Sequence, residues 1–76
     1  MFQRVKDKIL EYVEYPEDKI TEATEIVRDL QMSSLDIMMM LGDLENEYSI
    51  VFDAEEIKDI VTIGDFVNLL KNKISQ

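Results

Sequence analysis

Apolar residues along this chain fall at spacings of three and four in separate stretches, the period of an α-helix with one buried face. The first stretch, residues 2–14, places Phe2, Val5, Ile9 and Val13 on one stripe. Tyr15-Pro16 ends it, because the residue before a proline is pushed out of the α region. The second, residues 34–48, sets Ile37, Leu41, Leu44 and Tyr48 in register, and Leu35 with the Met38-Met39-Met40 run widens the apolar surface. A short third helix is predicted over residues 54–60. A fourth, opened by Thr62, carries Ile63, Phe66, Val67, Leu70 and Ile74 on one face. Ser33/Asp36, Asp53/Glu56 and Thr62/Asp65 each read as a capping box at the start of one of these helices. Val61 stands where a hydrophobic staple to Phe66 would form, and Lys71 and Lys73 suit the negative end of the last helix. Ser49-Ile50-Val51-Phe52 is apolar but short and lies between helices, so no strand competes.

Residues 16–33 form a long connection between the first two helices. Ile20, Ile26, Val27 and Leu30 are apolar anchors that can pin it to the core. Loops of this length in small domains are uncommon and often functional, and this one leads into Ser33-Ser34. The expectation is an all-α bundle of three main helices and one short one, with the long loop between helices 1 and 2. Its 76 residues suffice for a single domain, 1–76.

Composition narrows the function by exclusion. The chain has no His and no Cys, so the commonest acid–base group and the strongest side-chain nucleophile are both missing. There is no glycine-rich phosphate loop either, and an autonomous enzyme is not expected. Seventeen acids against eight bases give a formal charge of −9, which repels nucleic acid and anionic membrane faces. No apolar run is long enough to span a bilayer, and no leader sequence argues for export. The acids Asp43, Glu45 and Glu47 alternate like the first ligands of an EF-hand loop, but Tyr48 and Ala54 occupy the positions that need Gly and Glu. No metal site is expected there.

The charge is also unevenly placed. From Asp29 to Ile60 there are nine acids and a single base, Lys58. Any one of those acids reads as a solvated helix face. The whole run costs repulsion that a mixed surface avoids, and a docking surface for basic partners explains it better.

The segment Asp29-Leu30-Gln31-Met32-Ser33-Ser34-Leu35-Asp36, opening an acidic helix, is similar to the modification motif of acyl carrier proteins. The resemblance spans nearly the whole chain, through the loop bearing Ile20-Thr21 to the Thr62-Ile63-Gly64-Asp65 helix start. It implies the acyl-carrier-like four-helix bundle, with 4′-phosphopantetheine joined covalently to Ser34 and acyl cargo held as a thioester on that arm. It further implies a cytoplasmic, monomeric carrier in fatty-acid, polyketide or related biosynthesis. Its partners would be a phosphopantetheinyl transferase and acyl-transferring or synthase enzymes with basic docking patches. Asp36, Asp43, Glu45, Glu47, Glu55 and Glu56 resemble the acidic contacts to those enzymes.

Three departures from the family pattern stand out. Ser33 occupies a position that is usually Asp, Met39 one that is usually Glu, and Gly42 one where a larger residue is common. Three adjacent methionines span about 200° of helix, so they cannot all be buried. Met40 is expected in the core and Met39 as a flexible partner contact. The alternative reading is an unmodified adaptor that keeps the carrier fold and binds basic surfaces, with Ser33-Ser34 merely capping the helix.

Overall fold

A computed structural model describes residues 1–75. Four helices follow one another: α1 (Phe2–Ile9), α2 (Ser34–Tyr48), α3 (Ala54–Ile57) and α4 (Ile63–Ile74). Among the described residues, strand-like pairing is confined to one isolated antiparallel bridge between Glu25 and Thr62. No helix among them is long and apolar enough to cross a membrane.

The caps decide where α2 and α4 begin. Ser33 Oγ accepts the Asp36 N–H at 3.1 Å, and Thr62 Oγ1 accepts the Asp65 N–H at 3.1 Å. The partner carboxylates close each box by accepting the Ser33 and Thr62 N–H groups. At α3, Glu56 accepts the Asp53 N–H at 2.9 Å, which is the return half of a box.

The core gathers Val5 and Ile9 of α1, Met40 and Leu44 of α2, and Ile63, Phe66, Val67 and Leu70 of α4. Ile20, Ile26, Leu30 and Met32 from the long loop complete it. That loop is stitched to the start of α4 by backbone bonds: Ile26 N–H to the Val61 carbonyl (3.0 Å), Ile63 N–H to Thr24 (2.9 Å) and Gly64 N–H to Glu22 (2.8 Å). The last contact favours glycine, because a Cβ on Gly64 would lie 3.1 Å from the Glu22 carbonyl oxygen, tighter than most such contacts. The loop therefore arrives at Ser33 as an ordered strap with one short 3-10 turn, Glu17–Lys19.

Several sequence expectations need correction. The first helix ends at Ile9 rather than near residue 14. Beyond it, Glu11 and Tyr12 donate to carbonyls three residues back, which tightens the turn. Leu10, Tyr12, Val13 and Tyr15 all pack against the core, and a straight α-helix would spread those positions around its whole circumference. Helix α3 stops at Ile57, not at residue 60. Val27 is 63% exposed and anchors nothing, since Ile26 beside it already points inward. Val61, the staple candidate, is half exposed, and its N–H donates to Asp65 at 3.1 Å. In α2 the deepest residues are Met40 and Leu44, with Ile37, Leu41 and Tyr48 only partly buried.

The α4 cap carries a pH prediction. Asp65 accepts backbone N–H groups from Thr62 and Val61, and these bonds hold its carboxyl below the ordinary carboxylate range. Glu56 is lowered chiefly by Lys73, whose Nζ lies 2.7 Å away, and also by the Asp53 N–H. A carboxylate with a depressed folded pKa stabilises the fold above its unfolded pKa and loses that contribution as pH falls through the folded value. The contribution of both groups should be fully present at pH 7, begin to fall as pH drops into the ordinary carboxylate range, and be lost only as pH passes below it through the lowered folded values. Thermal melts of Asp65→Asn against the parent chain should differ at pH 7 and converge at acid pH. A gap that stays constant with pH would contradict this assignment.

Candidate functional site at the start of α2

Ser33 and Ser34 differ in what they are free to do. Ser33 is the N-cap of α2, and its hydroxyl is engaged by the Asp36 N–H. Ser34 is the first helical residue and is exposed; its hydroxyl has no hydrogen-bond partner among the described residues. Serine and aspartate are both strong N-caps, so Ser33 performs locally what an Asp would perform in the same place.

The first backbone N–H groups of a helix have no intrahelical partners. In α2 the Asp36 N–H is satisfied by Ser33, and the Ile37 N–H bonds to the Ser33 carbonyl at 3.0 Å. The N–H groups of Ser34 and Leu35 are left beside the Ser34 hydroxyl. A phosphodiester on Ser34 Oγ would thus stand at the positive end of a 15-residue helix. The donor set fits a phosphate-linked group. Asp36, the acid of this turn, is drawn back towards the Ser33 N–H.

The strap behind the site is tense at one point. Gln31, two residues before Ser33, has φ 55°, a left-handed conformation that costs a non-glycine residue roughly 1 kcal/mol. Leu30 and Met32 on either side are buried, and their anchoring holds Gln31 there.

An apolar cavity of about 210 Å³ opens between α2, the strap and the α3–α4 corner. Ile37, Met40 and Leu41 of α2 line it with Ile26, Ile57 and Phe66. Ile37 is three residues on from Ser34, roughly one helical turn.

The acids singled out in the sequence do not form one free surface. Asp43 accepts a hydrogen bond from the Tyr12 hydroxyl, which pushes that phenol up to about 12. Glu47 pairs with Arg4, whose guanidinium also lies 6.0 Å from the Tyr48 ring centroid. Glu45 accepts the Phe52 N–H at 2.8 Å and so fixes the turn after α2. Glu56 is held by Lys73 and the Asp53 N–H, and Asp36 by its capping box. Glu55 is the outlier: its side chain is 84% exposed, with only Lys58 at 2.9 Å.

Among the methionines, Met40 lies in the core as expected and Met39 is on the surface. Met40 is 1% exposed and Met39 is 50% exposed. Sequence reasoning did not single out Leu35 and Met38, which are 65% and 68% exposed. Their signal was available: positions 35, 38 and 39 are helix neighbours at i, i+3 and i+4.

Residues 3–70 match the family model described as a phosphopantetheine attachment site. The chain is 31% identical over 74 residues to the acyl carrier protein of Thermotoga maritima, an alignment covering 97% of this chain and 91% of that one. It is 33% identical over 72 residues to the acyl carrier protein of Lactobacillus acidophilus, covering 95% and 90%. The acyl carrier protein of Petrotoga mobilis is 29% identical over 75 residues, covering 99% and 88%.

Proposed function

We propose, given that this chain belongs to the acyl carrier protein family, that Ser34 bears the prosthetic arm and that the arm carries acyl groups as thioesters between enzymes. The chain is a carrier and not a catalyst, and its prosthetic group is a covalently attached 4′-phosphopantetheine. The observation that carries the assignment to Ser34 is the division of labour at the helix start. Ser33 is committed to capping, and Ser34 presents an unengaged hydroxyl beside free backbone N–H groups.

The arm supplies the thiol that the polypeptide lacks. Ser34 Oγ would form the phosphodiester by attack on the pyrophosphate of coenzyme A, with adenosine 3′,5′-bisphosphate leaving, and hold its phosphate against the first turn of α2. Asp36 is turned to its cap and no side chain among the described residues bonds to the Ser34 hydroxyl, so in this reading the transferase supplies the base that takes its proton. The cavity behind Ile37 supports sheltering of a short acyl chain, each buried methylene contributing about 0.8 kcal/mol. Fatty-acid, polyketide and related biosynthetic routes all use such cargo, and the reading places the chain in the cytoplasm as a monomer. Its partners are the transferase, which must reach Ser34, and acyl-transferring and synthase enzymes whose basic patches meet the acidic helices. Glu55, exposed on α3, is the acid best placed for such contacts, with Asp36, Asp43, Glu45, Glu47 and Glu56 adding field rather than free carboxylates.

The experiment is to charge the loaded chain enzymatically with a fatty acid and then treat it with neutral hydroxylamine. The acyl mass should leave while the arm stays, as expected for a thioester. An acyl group that resists hydroxylamine, or that attaches to the chain without its arm, would count against the carrier reading.

A further inference from the structure

The outward face of α2 is apolar along its first half. Leu35, Met38 and Met39 are all at least half exposed, and the stripe continues to Gly42, one turn beyond Met38. At 100° per residue, Ser34, Met38, Gly42, Leu35 and Met39 fall within a sector of about 140°, so they share one side of the helix.

Gly42 is the unexplained member. A glycine inside a helix lowers stability relative to alanine, and the fold gives no reason for it. A Cβ built at Gly42 meets nothing within 4 Å, whereas at Gly64 it would lie 3.1 Å from the Glu22 carbonyl oxygen. The absent side chain leaves a shallow recess instead. Met38 and Leu41 of α2 wall it on one side, and Phe52, Ala54 and Ile57 wall it on the other.

Charge around the recess is of one sign. Glu45 lies at its edge, and Asp53 and Glu55 are exposed beside Ala54. The one base of this stretch, Lys58, is paired with Glu55. A complementary surface therefore has an apolar centre and a cationic rim, the usual anatomy of a specific protein contact.

Proximity identifies the occupant. Gly42 lies eight positions on from Ser34, about 12 Å of rise on the same side of α2. A specific interface covers roughly 800 Å² on each partner, so an enzyme that brings its active site to Ser34 Oγ also covers the recess. We infer that the recess at Gly42 receives an apolar side chain projecting from the phosphopantetheinyl transferase, set among that enzyme's basic residues. This rests on the reading of Ser34 as the attachment site. Gly42 then acts as a specificity determinant: it is small because the partner supplies the side chain that fills the space.

The test compares the parent chain with Gly42→Ala, Gly42→Leu and Met38→Gln as substrates for a broad-specificity phosphopantetheinyl transferase with coenzyme A and Mg²⁺. Filling the recess with leucine should lower kcat/KM about tenfold, the scale of a blocked apolar subsite. The loss should appear in KM with kcat retained, as for an interaction made equally in ground and transition states. Gly42→Ala and Met38→Gln should fall between the two. The melting temperature of Gly42→Leu should match or exceed that of the parent, because leucine is the better helix former. Loading of Gly42→Leu within about twofold of the parent, under 0.5 kcal/mol, would overturn the inference. So would a lowered melting temperature, which would make Gly42 a requirement of the fold. Failure of the parent chain itself to load would instead remove the reading of Ser34 on which the inference rests.

Discussion

Replacing Ser34 with alanine should leave a folded chain that takes up no phosphopantetheine, while Ser33→Ala should still load but melt at a lower temperature. The two neighbours separate because the helix uses them differently. Ser33 supplies the N-cap bond to Asp36, and its loss should cost about 1 kcal/mol. In a domain of this size that lowers the melting temperature by roughly 4–8 °C. Ser34 is exposed at the first helical position, and alanine is the stronger helix former, so Ser34→Ala should melt no lower than the parent. Intact mass after treatment with coenzyme A and a transferase reads the loading, and circular dichroism reads the melt. A loaded Ser34→Ala chain would place the attachment elsewhere, with Ser33 the first residue to examine.

Phe66→Ala should cost the most stability of any single change considered. Phe66 is 1% exposed, its ring lies 5.7 Å from that of Phe52, and it lines the cavity behind Ile37. Truncating a buried phenylalanine removes about 3–5 kcal/mol through lost burial and the void left behind. Small domains have total stabilities on the order of 5 kcal/mol, so much of the population should be unfolded at physiological temperature. A urea titration should show the midpoint collapsing relative to the parent. A loss below about 1 kcal/mol would mean that the cavity walls close over the gap, contrary to the close packing expected of a core.

The elements most legible in the sequence were those with polar punctuation. Ser33/Asp36 and Thr62/Asp65 fix the starts of α2 and α4 through local bonds, and both starts fall where the capping pattern puts them. Helical geometry requires that the three methionines not all be buried, and the Met40-in, Met39-out assignment agrees with their burial. The errors have tertiary causes. Periodicity extends α1 past Ile9, but Leu10, Tyr12 and Tyr15 reach the core only if the chain tightens there. Val27 looks like an anchor in the sequence, yet the strap's register, pinned by Ile26 to Val61, turns Val27 to solvent.

The acids show the same limit. Asp43, Glu45 and Glu47 are uniformly negative in a sequence, whereas the fold assigns them to Tyr12, to the Phe52 N–H and to Arg4. Those partners lie seven to 43 residues away, beyond the reach of any local pattern. The motif singles out Ser34 as the candidate attachment residue, but the distinction between a capping Ser33 and an unengaged Ser34 emerged only with the helix start in place.

The most direct test of the carrier reading is the mass of the unmodified chain before and after incubation with coenzyme A, Mg²⁺ and a broad-specificity phosphopantetheinyl transferase, with fragmentation to locate any adduct. The expected result is one phosphopantetheine per chain, on Ser34. No adduct on a demonstrably folded chain, while a standard carrier loads in parallel, would contradict it, and so would an adduct confined to Ser33.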